Sequence, residues 1–162
     1  MLLDDATPMN IPLPDPLAYF LTWTTYGTRL PGDERGWVDR GHGLQLPNGP
    51  LEARSYEGLA HPPIVLGNEE RKVVEEVIRK HCEIRRWPLN AVNVRTNHVH
   101  VVVSSKIDPD DTAEQFKAWC TRQLKLGRRP SPKHWWTRGQ STVYLNTDDE
   151  FLCAVNYVLN CQ

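Results

Sequence analysis

The sequence predicts an α+β fold: a ferredoxin-like, split β-α-β antiparallel sheet with an added C-terminal helix. Three observations predict it. Runs with a two-residue apolar period alternate with runs of helical period, in the order β-α-β-β-α-β-α. The chain has 162 residues, 40% of them apolar, which suits one domain with its own core better than two. A capping box, Thr147-Asp148-Asp149-Glu150, opens one more amphipathic helix beyond the six elements of the split β-α-β unit.

Taken in order, Ala18 to Tyr26 is rich in aromatic and β-branched residues and reads as a central strand that Gly27 ends. Residues 28–64 are irregular and rich in Gly and Pro. A loop of that length in a small domain is functional or mobile. Glu69 to Arg86 reads as a helix whose apolar stripe is Val73, Val74, Val77, Ile78 and Cys82, with Pro88 as its stop. Its Arg71, Lys72, Arg79, Lys80, Arg85 and Arg86 read as a solvated face. Leu89 to Arg95 and His98 to Ser104 form an antiparallel pair about a turn at Thr96-Asn97. In the first of these, Leu89, Ala91 and Asn93 alternate with Val92 and Val94. Asp108 caps the next helix, with Pro109 at its first position. Its expected buried stripe is Phe116, Trp119, Cys120 and Leu124, and Gly127 ends it. Ser141 to Asn146 is a short fourth strand. The last helix runs from Asp148, its acidic first turn matched to the helix dipole. On it Phe151, Leu152, Ala154, Val155, Val158 and Leu159 share a face, and Tyr157 falls on the flank.

Lys and Arg number 19 against 20 Asp and Glu, so net charge neither supports nor opposes a nucleic-acid partner. Local patches must carry any such argument. Cys82, Cys120, Cys153 and Cys161 form no C-x-x-C pair and fall in predicted helices. They read as reduced and mostly buried, as in a cytoplasmic protein. Residues 1–16 read as a flexible lead-in without the features of a signal or transit peptide, followed by one domain over 17–162. No window approaches the roughly 20 apolar residues that a membrane span needs.

The chemistry-bearing feature is the segment V-R-T-N-H-V-H-V-V-V. Strand residues two apart share a face, about 6.6 Å apart. His98 and His100 therefore project together, while Val99, Val101 and Val103 point to the opposite face. Two adjacent imidazoles suit a metal site or a catalytic pair. The alternative is two half-buried histidines with separate hydrogen-bond partners. Tyr157 is open to two readings as well, a nucleophile or an amphipathic boundary residue.

The H-V-H motif resembles the His-hydrophobic-His signature of HUH endonucleases. The segment Y-V-L-N-C-Q from Tyr157 resembles the tyrosine helix of single-tyrosine HUH transposases, especially the REP-associated tyrosine transposase branch in bacteria. Two further segments resemble the same family: W-T-R-G-Q-S-T-V-Y-L from Trp136, and T-W-T-T-Y-G-T-R-L-P-G-D-E-R-G from Thr22. The resemblance spans roughly Tyr19 to Gln162. It implies the tyrosine helix facing the histidine pair, and a divalent metal, Mg²⁺ or Mn²⁺, bound by His98 and His100. It implies Tyr157 as the nucleophile on a DNA phosphodiester, giving a 5′-phosphotyrosine and a free 3′-hydroxyl that can be rejoined. The implied partner is single-stranded DNA bearing a hairpin, and the family allows a homodimer.

The sequence departs from the family where a third ligand, Asn or Gln, is expected one turn after the tyrosine. Cys161 stands there. On a regular helix Cys161 lies roughly 40° round from Tyr157, Asn160 roughly 60° and Gln162 roughly 140°. Geometry favours Cys161. Ligand chemistry favours Gln162, because a thiolate matches Mg²⁺ poorly. The candidates for DNA contact are Arg95 beside the histidine strand, then Arg128, Arg129, Lys133, Trp135, Trp136 and Arg138, with Arg29 and Arg35 in the early loop. The alternative for the two tryptophans is inward packing. Two other functions compete: a single-stranded nucleic-acid-binding module of the same fold, inactive or domesticated, and a metallohydrolase using the histidines with water.

Overall fold

A computed structural model describes residue 13, residues 15–39 and residues 41–160. Most of the expected flexible segment 1–16, and both Cys161 and Gln162, lie outside the described residues. In chain order the elements are β1 (Ala18–Thr24), β2 (Trp37–Asp39), β3 (Gly43–Gln45), α1 (Gly49–Glu57), α2 (Asn68–Arg85), β4 (Leu89–Val94), β5 (His98–Val103), α3 (Pro109–Gly127), β6 (Ser141–Leu145) and α4 (Asp148–Asn160).

The main sheet has the order β4-β5-β1-β6, with neighbouring strands antiparallel. β1 and β4, joined through α2, are separated by β5; β5 and β6, joined through α3, are separated by β1. This is the expected split β-α-β arrangement. Strand periodicity then divides the sheet into two faces. Leu21, Trp23, Val92, Val94, Val99, Val101 and Val103 face α2 and α3, whose Val74, Ile78, Phe116 and Cys120 complete the larger core. Ala18, Ala91, Val102 and Leu145 face α4 and pack on Ala154 and Val158.

Several local expectations need correction. The alternation on β4 is broken by a bulge between Leu89 and Ala91, which puts these two residues on opposite faces. Loop 28–64 is not structureless: it holds the β2-β3 hairpin and α1. Its anchor is Asp33, only 3% exposed, which receives hydrogen bonds from the Arg35 backbone and guanidinium. Gly32 has φ +95°, and a Cβ there would run into Asn48 and Glu52 backbone atoms of the α1 start. These features are contacts across the loop, so no periodicity announces them. On α3, Trp119 is 43% exposed; the buried stripe is Ala113, Phe116, Cys120 and Leu124, with Thr112 and Lys117 beside it.

The capping box on α4 forms as expected. Thr147 Oγ1 accepts from the Glu150 amide at 3.2 Å, and the Glu150 carboxylate accepts from the amides of Thr147 and Asn146. The buried stripe of α4 is narrower than expected: Leu152 and Leu159 are exposed. A single helix lying on a sheet covers only the residues within its line of contact, here centred on Ala154 and Val158. Cys82 and Cys120 are buried, and burial pushes the Cys82 thiol up to about 12. Cys153 is exposed. No helix among the described residues is long and apolar enough to cross a membrane.

Candidate active site

The register of β5 against β1 sets the site. His100 lies opposite Thr22, and His98 opposite Thr24. Both histidines project to the α4 face, their rings 4.7 Å apart between centroids. The reason is the pleat: three valines at alternate positions are claimed by the larger core, so the intervening histidines turn the other way. His100 is 8% exposed, and its Nδ1 lies 2.8 Å from Thr22 Oγ1. His98 is half-buried, and its Nδ1 lies 2.8 Å from Asn97 Oδ1.

These contacts matter for ligand chemistry. An amide oxygen only accepts, so the Asn97 contact places a proton on His98 Nδ1. Thr22 Oγ1 can accept from His100 Nδ1 in the same way. An oriented, neutral imidazole of this tautomer is what a metal requires. His100 is held neutral at pH 7. Burial pushes its pKa down to about 4, and the neighbouring His98 and Arg95 push in the same direction.

Tyr157 reaches the same place from α4. Its ring stands edge-on to His100 at 5.8 Å, and Phe20 packs against both rings at 5.5 Å and 6.0 Å. The tyrosine is 45% exposed. The helix is tied to the sheet just beyond it, where Asn93 Nδ2 donates to the Val158 carbonyl at 2.9 Å. Thus His98, His100 and Tyr157, which sequence spacing leaves more than fifty residues apart, meet on one face. Phe20, Thr22, Asn93 and Asn97 were missed by sequence reading as parts of this site. The period-two pattern of β1 puts Phe20 and Thr22 on one face, but only the strand register shows that this face is the histidines'.

The residues fit a divalent cation in part. Two imidazole nitrogens suit Mn²⁺ better than Mg²⁺, which prefers oxygen ligands. No group of three His, Cys, Asp or Glu side chains able to hold a metal occurs among the described residues. The remaining positions therefore call for oxygens of substrate and water, or for a donor from Cys161 or Gln162.

The expected DNA contacts divide. Arg95 is exposed beside the site, its amide donating to the His98 carbonyl at 2.8 Å. Trp135 is 2% exposed and part of the larger core, so its indole is not presented for base stacking. Trp136 packs against that core and donates from Nε1 to Thr121 Oγ1 at 3.0 Å. Arg128 is an internal strut, paired with Glu70 at 2.6 Å and lying over the Trp135 ring. Arg35 is likewise engaged with Asp33. Arg29 and Arg129 are exposed. Lys133 and Arg138 line a groove of about 620 Å³ against α3, with Trp136 and Lys117. That groove lies on the α3 side of the sheet and not with the histidine pair.

Residues 64–160, more than half of the chain, match the family described as Transposase IS200 like. The chain belongs to the IS200-like transposase family. Among solved structures, a REP-associated tyrosine transposase bound to a REP hairpin is similar in fold, with a TM-score of 0.56 at 12% identity over 94% of this chain and 70% of that one. A Deinococcus radiodurans R1 protein assigned as a candidate transposase has a TM-score of 0.52 at 13% identity, over 94% of this chain and 96% of that one. No curated protein matches the chain. At such identities the structural likeness concerns the fold. The family resemblance read from the H-V-H and tyrosine-helix motifs is borne out.

Proposed function

We propose that this IS200-like transposase nicks and rejoins single-stranded DNA, with Tyr157 as nucleophile and His98 and His100 as metal ligands, within one domain over residues 17–162. The observation that carries the reading is the meeting of Tyr157 with His100 at 5.8 Å on the face opposite the larger core. The phenolic oxygen attacks the scissile phosphorus. One P–O bond forms to tyrosine and the bond to the 3′-oxygen breaks, leaving a 5′-phosphotyrosine. The phenol gives up its proton and the 3′-oxygen takes one up. One phosphodiester replaces another, so the reverse attack by a 3′-hydroxyl rejoins strands without an external energy source.

A divalent cation at His98 and His100, Mn²⁺ or Mg²⁺, supplies Lewis-acid polarisation of the phosphate when bound. The protein's own part is positional. Thr22 and Asn97 orient the imidazoles, Phe20 keeps the phenol against them, and Asn93 fastens the helix that carries it. Arg95 offers a cation to a neighbouring phosphate. A structurally similar transposase holds a REP hairpin, which supports hairpin-bearing DNA as the partner here.

The test is incubation of a labelled single-stranded hairpin oligonucleotide with protein and Mn²⁺, resolved on denaturing gels. A covalent adduct should form, vanish with chelator, and be absent in Tyr157→Phe. Adducts persisting in Tyr157→Phe would overturn the nucleophile assignment. Cleavage without adduct would instead favour a water-using hydrolase.

A further inference from the structure

Beyond the His98 end of β1, three rings gather that the transesterification does not use. Tyr26 packs against His61 at 4.6 Å and against His134 at 5.1 Å between centroids. The two imidazoles lie 6.1 Å apart and within 27° of parallel. The group is rigidly built. The Tyr26 amide donates to the Trp135 carbonyl and the Ile64 amide to the Tyr26 carbonyl, both at 2.9 Å. Tyr26 Oη accepts from the Ala60 amide at 3.0 Å. The His134 amide donates to His61 Nε2 at 3.1 Å, while His61 Nδ1 donates to the Pro62 carbonyl at 2.9 Å. A carbonyl accepts on one side and an amide donates on the other, so His61 is the neutral Nδ1–H tautomer. Gly27, at φ +81°, leaves room for Pro63, whose atoms would stand 2.9 Å from a Cβ there.

Tyr26 leans on the edge of the larger core, and the cluster opens to solvent. His134 and Lys133 are exposed, and Tyr26 and His61 are half-buried. Its place is defined by pairing: Thr24 lies opposite His98, and the Thr25 amide donates to the Asn97 carbonyl at 2.9 Å. The rings therefore sit where β1 leaves the sheet, at the His98 end. Flat rings held in advance lose little freedom when a base settles on them, and each stacked base adds substantially to single-strand affinity.

We propose that His134, backed by Tyr26 and His61, is a stacking platform for an unpaired base of the single-stranded DNA flank where it passes from the histidine face towards the α3 side of the sheet, with Lys133 of the α3-side groove meeting a backbone phosphate there. This rests on the reading of the site as one that takes single-stranded DNA. It assigns a role to the basic segment 128–138 through its histidine and lysine, since Trp135 is buried in the core.

The test uses a fluorescein-labelled hairpin oligodeoxynucleotide with a single-stranded flank, titrated by anisotropy in a Tyr157→Phe background that prevents covalent trapping. His134→Ala should weaken binding about tenfold. His134→Phe should restore it, because the platform requires a ring and not a charge. Lys133→Ala should lower the salt dependence of log Kd by about one unit. 2-Aminopurine placed along the flank should be quenched at one position by the parent protein and not by His134→Ala, with thermal unfolding confirming that each variant is folded. Unchanged affinity in His134→Ala, or a His134→Phe variant as weak as alanine, would overturn the proposal. So would tighter binding of the same sequence as RNA. Adduct formation in otherwise wild-type protein is scored separately: adducts with no His134 effect sink the platform alone, and a His134 effect without adducts supports the platform while removing the nucleophile.

Discussion

The hydrogen bond from Asn93 to α4 offers the sharpest test of how the tyrosine is positioned. Asn93 reaches from β4 to the part of α4 that carries the tyrosine. Its Nδ2 donates at 2.9 Å to the carbonyl of Val158, a fully buried residue. Asn93→Asp keeps the side-chain shape but sets a carboxylate oxygen against that carbonyl. A hydrogen bond of about 1 kcal/mol is lost, and holding two acceptors against each other out of water costs about 1–3 kcal/mol more if the helix stays in place. The lesser cost is to let the last turn lift, so about 2 kcal/mol is the expected penalty, or roughly 30-fold in the opening of that turn. The melting temperature should fall by about 4–8 °C for a chain of this size. Amide exchange over residues 155–160 should accelerate by the same factor of roughly 30, and the single-turnover rate of adduct formation should fall by tenfold or more. The assays are exchange read by mass spectrometry and adduct formation read on denaturing gels. Unchanged exchange in that segment would refute the reasoning. So would a lowered melting temperature with the C-terminal turn still protected, because Asn93 would then act on the sheet and not on the tyrosine helix.

Other predictions follow from single residues. Because His100 titrates near 4 in the folded chain and near 6.5 when unfolded, the unfolded state takes up its proton first; stability should be complete above about pH 6.5 and decline by about 2–3 kcal/mol as pH falls to 4. Denaturant titrations across that range should show a correspondingly shallower decline in His100→Gln, and an identical slope would refute the assignment. Hydrogen bonding from Arg35 lowers the Asp33 carboxyl to about 2, so its contribution is present above about pH 4 and lost as pH falls towards 2. Asp33→Asn should cost about 1–2 kcal/mol at neutral pH, a figure reduced for the half-exposed Arg35 partner, and should flatten the decline below pH 4. Arg86 caps α2 in the left-handed region, at φ 57°. Arg86→Gly should stabilise the fold by about 0.5–1 kcal/mol, seen as a higher denaturation midpoint; a destabilised variant would mean that the side chain contributes more than its backbone conformation costs.

What the sequence determined by itself is local. Apolar period, caps and turn residues are read by the chain within a few positions of themselves, so the order of the main strands and helices, the Thr147 capping box and the shared face of His98 and His100 were all legible in it. So was the family, because the H-V-H and tyrosine-helix motifs are short and contiguous. Tertiary structure decided whatever depends on which face meets which. Periodicity says that Tyr157 flanks its helix, but only the packing of α4 on the histidine face brings it to His100. Thr22 and Asn93 become site residues through strand register and helix docking, contacts across 78 and 65 positions that no local pattern encodes. The indoles of Trp135 and Trp136 are alike in sequence to any base-stacking pair. Burial against the α3 side of the sheet removed the first from that role, and the ring cluster of Tyr26, His61 and His134 came together only when three separate segments of chain closed on one another.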